Sequence, residues 1–517
     1  MAPFVDVILR GLALTGQAAA IGGVLFALLV DRAREGDAAA SRVWTLVAAG
    51  AAAVAAAQCG ILALLAGALD MRPGTVLATL APTQYFWTAT ARVGAAVVVA
   101  IGALRVRRAA RVGWWWVVLV GGATALVVSA AWTSHAASRL EHRGVLLALD
   151  ALHQVAACAW IGGLLCLVVC AFARGRSPAP AALVQRFSRL ALTAVVLLVA
   201  AGGGLALSYV DGIRALVGTA YGLMVLTKVA LLGGLVWLGA LNRRTLRRLA
   251  PDEPVTSRRL RRFVEVELGV GVTILFAAAS LTSLPPAADV VTDRATPAEV
   301  AGQFVPRWPT LASPPLEALP FADPDAPRTD ADRAWSEYNH HISGLFVLLM
   351  GLLSIVELAG TAWARHWPLV FLGLAGFMLV RNDPGSWPLG PQGFWEGMTE
   401  ASVLQHRVFV LLVIVFGLFE WMVRSGRLKA PRGALLFPLL CAVGGGLLLT
   451  HSHASLNVKS EFLMEVTHAP LGVLGVLVGW GRWLQLRLGA PEGRLPGWLA
   501  ASAMTAVGVL LLLYRES

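Results

Sequence analysis

Apolar runs about twenty residues long constrain this chain more than any other feature, because a helix of that length crosses the hydrocarbon core of a bilayer. Fourteen such runs can be read, near 4–30, 43–69, 84–104, 114–137, 145–173, 186–210, 219–241, 261–284, 340–363, 367–380, 402–424, 432–453, 461–487 and 497–514. Composition agrees: only 14% of residues are charged, where a soluble domain carries about a quarter. The expected fold is all-α, a polytopic integral membrane protein of about fourteen transmembrane helices. The first run has no basic stretch before it and no small-residue cleavage site, so it reads as a span and not a signal peptide. The five cysteines (Cys59, Cys158, Cys166, Cys170, Cys441) all fall inside spans, which argues against a disulfide framework.

Orientation follows from the basic residues, which gather in cytoplasmic loops. Loops after odd-numbered spans hold 27 of the 42 Lys and Arg, including 105-RVRRAAR-111 and 258-RRLRR-262; those after even-numbered spans, with the C-terminal tail, hold 11. Both termini are therefore expected outside, and this placement accounts for the net charge of +12 without nucleic acid. With that topology nine of the ten histidines face the outer compartment, His366 being the exception.

The stretch 285–339 is rich in Pro and Asp, has no helical period and carries nine acidic residues against four Arg. It divides the chain into an eight-helix domain at 1–284 and a six-helix domain at 340–517. The segment reads as an outer, solvated linker, with an acidic collector of cations as the alternative. No nucleotide-binding motif is present, which argues against ATP-driven pumping.

Two constellations could carry chemistry. The first is 132-WTSHAASRLEHRGVLLALDALHQVAACAWIGGLL-165. A helical hairpin brings His135 and His153 to the outer end of neighbouring antiparallel helices, and Asp150 shares a helix face with His153. A carboxylate there can join an imidazole as ligand or orient it. Ionisable groups within a bundle are functional by default. Lys228 sits near mid-span in the seventh helix and needs a partner; Glu265 and Glu267 lie nearer the inner end. An ion pair and a role in ion passage are both open for it. Cys166 and Cys170, four apart near the inner end of the fifth span, could pass a soft ion inward, although small cysteines also serve as packing.

These residues resemble the copper resistance protein D family of bacterial inner-membrane proteins. The likeness runs through SHAA, D-x-x-H followed by AWIGGLL, then 187-FSRLAL-192, 221-YGLMVLTK-228 and 239-GALNRR-244, over roughly 1–284. It implies copper handling at the periplasmic face and copper uptake across the inner membrane. His135, Asp150, His153 and Lys228 fall on family positions.

The second constellation is 450-THSHASLNVKSEFLMEVTHAP-470. Glu461, Glu465 and His468 form one helical stripe with Met464 beside it, and Glu-x-x-His is a spacing that bundles use for metals. His451 and His453 close the preceding span, and His340 and His341 of 337-EYNHHISG-344 open the ninth. The alternative is a polar network tying helix ends together. This bundle looks like the C-terminal extension of larger members of the same family.

Imidazole with carboxylate suits cupric copper, zinc or iron, and thioethers and thiolates select cuprous copper. Nine methionines without a ladder do not choose among them; the resemblance does, and points to copper. The leading expectation is a non-enzymatic copper transporter, with a copper ion and membrane lipids as partners and a periplasmic copper chaperone as donor or acceptor. A b-type haem oxidoreductase is the competing reading, since paired histidines on facing helices also ligate haem iron. Delivery of copper to a periplasmic acceptor is a third.

Overall fold

The computed structural model describes residues 2–31, 38–68, 73–109, 112–171, 181–247, 250, 258–319, 329–428, 432–450 and 459–516. It is an all-α polytopic membrane protein. In chain order its apolar helices are α1 (Phe4–Asp31), α2 (Ala40–Ala68), α3 (Gln84–Arg108), α4 (Trp115–Ala131), α5 (Arg143–Cys170), α6 (Ala181–Tyr209) and α7 (Ala220–Leu246). There follow α8 (Arg258–Ser283), α9 (Asp330–Leu358), α10 (Ala362–Arg381), α11 (Val403–Arg424), α12 (Gly433–Leu448), α13 (Lys459–Leu488) and α14 (Arg494–Leu512). Twelve of them, among the described residues, are long and apolar enough to cross a membrane; α4 and α12 are shorter apolar helices. The described residues contain no strand, only an isolated bridge between Ser386 and Gln392.

Contacts divide the chain into two compact units, Met1–Arg294 and a second built from Ala295–Leu449 and Val458–Ser517. In the first unit α1 is the central helix: 72% of its apolar window is buried, against 11% for α6. Small residues let its backbone approach its neighbours, as membrane helices without a hydrophobic driving force require. A Cβ on Gly16 would stand 2.6 Å from the Gly50 carbonyl oxygen of α2, and one on Gly22 would stand 2.1 Å from the Cys158 carbonyl oxygen of α5. At that contact α5 widens into a π-turn, Cys158–Gly162. π-turns often lie beside functional positions, and Asp150 and His153 precede this one by one to two turns.

In the second unit α9 and α14 pack through Gly344, Gly351 and Gly508. The core holds Met350, Trp367, Leu374, Phe437, Val478 and Met504. Helix α9 begins at Asp330, ten residues before the expected span. A capping box between Thr329 and Asp332 starts it, and acidic residues in a first turn favour the helix dipole. The Asp-rich composition that suggested a linker up to 339 is, from Asp330, a helix N-terminus. Helix α13 is broken: Lys459–Glu465 ends in a turn at Val466 and Thr467, and His468 opens the longer part, His468–Leu488.

Candidate metal-ion sites

Helix α4 ends at Ala131, and the chain turns through hydroxyl caps. The Thr133 hydroxyl donates to the Ala130 carbonyl, and Ser134 opens the one-turn helix His135–Ser138 by accepting from the Ala136 N–H. His142 has φ 53°, a left-handed turn position that histidine fills more readily than most residues. His135 is thereby carried off α4 and turned inward. Its ring centroid lies 6.2 Å from that of Tyr209 and 6.2 Å from that of Tyr221, and the two tyrosines are 6.3 Å apart.

The His135 ring lies beside the Leu281 carbonyl, and its Nε2 is buried with no hydrogen-bond partner. Burial pushes this imidazole below its usual value, outweighing the Leu281 carbonyl. A neutral imidazole with an unpartnered ring nitrogen can offer a lone pair there, and metal-binding histidines are commonly oriented by a carbonyl on the other nitrogen. Around it Arg139 forms a two-pronged ion pair with Asp289 at 2.8 and 2.9 Å and lies over the Tyr209 ring. Arg294 reaches Asp211 at 2.9 Å.

Below this end of the unit runs a layer of polar side chains. Gln154 donates to Asp150 at 2.5 Å, Gln17 donates to Gln154 at 2.8 Å, and Arg92 donates to Gln17 at 2.7 Å. Lys228 is the charged neighbour of both Asp150 and His153. The glutamates considered for it are engaged elsewhere, Glu265 with Arg262 and Glu267 with Asn242. The His153 ring nitrogen Nδ1 is 3.1 Å from the Leu198 carbonyl, and the ring packs on Gly202.

His135 meets α6 at Tyr209, and His153 meets it at Gly202 and Leu198. Seven or more residues separate those positions, about 10 Å of helix. The two imidazoles therefore meet α6 at different levels, with Asp150 and Lys228 beside His153. Toward the other end Cys166 is buried and lies in the field of Cys170 and of Asp31.

In the second unit the expected ligands separate into two roles. Thr310 N–H donates to His341 Nδ1 at 2.8 Å, and His341 Nε2 meets the Tyr514 carbonyl at 2.9 Å. Both nitrogens are thus spent on backbone, which leaves His341 no lone pair for a metal. His340 and His468 differ. Each Nδ1 faces the carbonyl one turn back, Ser336 at 2.8 Å and Met464 at 2.9 Å. Their rings are 6.2 Å apart, and Tyr514 stacks on His340 at 3.8 Å. Met464 thus contributes its carbonyl to orienting His468, across the break in α13. Glu465 is buried and Glu461 half-buried. His451 and His453 lie outside the described residues. Among the described residues no group of three or more His, Cys, Asp or Glu is arranged to hold a metal ion.

Sequence reasoning missed Gln17, Arg92 and Gln154, although polar residues in apolar spans are themselves a signal. It also passed over the tyrosines. A further pairing was missed: His406 Nδ1 lies 2.6 Å from Asp383 Oδ1.

Residues 181–281 match the family model described as Copper resistance protein D. That stretch holds Tyr209, Tyr221, Lys228 and Leu281 of the first site. The protein named Copper transport protein CutJ of Bacillus subtilis (strain 168) is 32% identical over 165 residues. The aligned stretch is 31% of this chain and 29% of that relative, well under two thirds of its length. No solved structure matches.

Proposed function

Because residues 181–281 match the family model described as Copper resistance protein D, we propose that the chain belongs to that family and takes copper up across a bacterial inner membrane. In this reading both termini and the linker are periplasmic. A periplasmic copper-carrying protein loads the site at His135, and the ion then passes to His153 at the level of Asp150 and Lys228. The chain acts as a transporter and not as an enzyme. The observation that carries the reading is the His135 lone pair, buried without a partner above a polar layer that includes a carboxylate. Lys228 keeps that carboxylate from being an isolated buried charge, which would be costly. Cys166 and Cys170 stand further along α5, toward the inner end, where a soft ion would leave. His340 and His468, with His451, His453, Glu461 and Glu465 nearby in sequence, form a second loading point.

Copper accumulation at limiting copper tests this. His135→Ala and His153→Ala should each lower cellular copper toward that of cells lacking the protein, at unchanged protein levels. Asp150→Asn should lower it less. If both histidine variants accumulate copper like the parent, uptake through this site is wrong. A haem absorption band in the purified parent that disappears in those variants would replace the transporter with an oxidoreductase.

The topology has its own test. Ala312→Cys, placed in a background whose native cysteines are alanine, should react with an impermeant maleimide on intact spheroplasts. Labelling only after the membrane is opened would reverse the orientation and put the histidine-bearing ends inside.

A further inference from the structure

An ion that loads at His135 must reach Nε2, and that nitrogen is covered. The residue as a whole is half-buried, yet its Nε2 is buried. Part of the surround is spanning helix. Tyr209 ends α6 and Tyr221 lies in the first turn of α7, each with its ring centroid 6.2 Å from that of the imidazole, and Leu281 lies in the last turn of α8. The rest is loop. Arg139 and Asp289 both lie in the field of the imidazole and of Tyr209, and Asp289 stands beyond the end of α8.

The chain leaves α8 at Ser283 and meets Pro285 and Pro286, whose rings fix φ and offer no N–H to continue a helix. A single 3₁₀ turn follows, Ala287–Asp289, closed by the Asp289 N–H donating to the Pro286 carbonyl at 2.9 Å. This turn packs against α6, α7 and the short helix Ile213–Gly218 that joins them. Leu284, Ala287 and Val290 are buried. They recur every third residue, the period of a 3₁₀ turn, so one side of the segment faces the protein throughout.

Two arginines fasten it, one on each side. Arg139 closes the one-turn helix that carries His135, and it grips Asp289 through two hydrogen bonds of 2.8 and 2.9 Å. Arg294, at the far end of the segment, donates to the Ala287 carbonyl at 2.9 Å and to the Val290 carbonyl. It also pairs at 2.9 Å with Asp211 in the loop between α6 and α7. These fastenings face solvent, with the Asp289 and Asp211 side chains 45% and 48% exposed. Ion pairs so exposed contribute little each and weaken with salt. The spanning helices are held by packing along their length, so the segment is the part of the cover that lifts most readily.

We propose that residues 285–294 form a strap that shuts the His135 site and lifts to admit the ion, released when the Arg139–Asp289 and Arg294–Asp211 pairs part. What the strap admits rests on the copper-uptake reading; that it closes the site rests on its own contacts.

The test reads access to position 135 without copper. His135→Cys is placed in a background whose native cysteines are alanine, and the purified full chain is treated with a maleimide. The thiol should react slowly at low salt and faster as salt is raised. Asp289→Asn combined with Asp211→Asn should speed the reaction about tenfold, because two weak pairs no longer oppose local opening. Asp289→Glu keeps the charge and should stay slow, which separates release of the strap from general loosening of the fold. A parent rate equal to that of the exposed Ala312→Cys, or a rate that the asparagine variants leave unchanged, overturns the strap. A second arm tests the cargo. Arg139→Cys and Asp289→Cys in the otherwise native chain, bridged by a reducible bis-methanethiosulfonate reagent, should stop copper accumulation by spheroplasts until the bridge is reduced. If the bridged protein accumulates copper normally while the maleimide result holds, the strap stands and uptake through His135 falls, so the two readings fail separately.

Discussion

Gly162→Ala should abolish folded protein in detergent, and Gly22→Ala should do nearly the same. A methyl at Gly162 would stand 1.8 Å from the Ala18 carbonyl oxygen and 2.9 Å from the Gly22 Cα; one at Gly22 would stand 2.1 Å from the Cys158 carbonyl oxygen. The atoms met are backbone, which cannot swing aside as a side chain can, so α1 and α5 must separate. Overpacking a core ordinarily costs about 1–3 kcal/mol, and forcing apart the central helix of the unit costs more, because every contact along α1 loosens together. Fluorescence-detected size-exclusion after a heating series reads this directly. Gly234→Ala is the control, since nothing lies within 4 Å of its added methyl and alanine is the better helix former. If Gly162→Ala melts with the parent, the close approach of α1 to the π-turn is wrong.

That contact also shows where the sequence stopped being readable. The all-α membrane fold was legible because span length is dictated by the bilayer and needs no knowledge of neighbours; of the fourteen runs expected, twelve are helices long and apolar enough to cross among the described residues, and α4 and α12 are shorter. The π-turn was not, since a single extra residue per turn leaves no trace in composition; only the paired glycines of 159-AWIGGLL-165 hinted that something packs there. Helix α9 was read as starting late because capping residues and linker residues are the same types, Thr and Asp. The break in α13 was hidden by the Glu461–Glu465–His468 spacing, which assumes a continuous helix.

For the sites, residue identity was easier to read than partnership. His135 was singled out as a histidine at a helix end, but the rings that surround it come from Tyr209 and Tyr221, more than 70 residues along the chain. Lys228 could have been assigned to Asp150 from depth alone: both stand two turns into helices that run in the same direction. His341 looked equivalent to His340, its neighbour. One residue turns a helical side chain by about 100°, and that rotation sends His341 to the backbone of Thr310 and Tyr514 while His340 meets His468.

The second large effect is expected in the other unit, at Glu420, a carboxylate with 0% exposure. Its Oε1 takes the Arg424 guanidinium at 2.6 Å and the Arg482 guanidinium at 2.9 Å, and its Oε2 is buried without a partner. Arg424 is shared with Glu357, which also accepts the Trp367 indole N–H at 3.1 Å, and it lies over the Trp367 ring. Arg482 continues to Gln485 at 2.8 Å. Two carboxylates and two guanidiniums thus cancel within one buried group that joins α9, α11 and α13. Glu420→Ala leaves Arg482 buried without its carboxylate, and breaking a buried pair from one side costs about 3–5 kcal/mol. The variant should lose most folded protein at a temperature the parent survives. Glu420→Gln keeps the shape and one acceptor but not the charge, and should fall between. Glu420→Leu combined with Arg482→Leu removes a charge of each sign and should recover much of the loss, because exchanging a whole buried pair for packed apolar side chains is often neutral. If the double variant is no more stable than Glu420→Ala, the loss comes from packing at the α11–α13 contact and not from an unpaired charge.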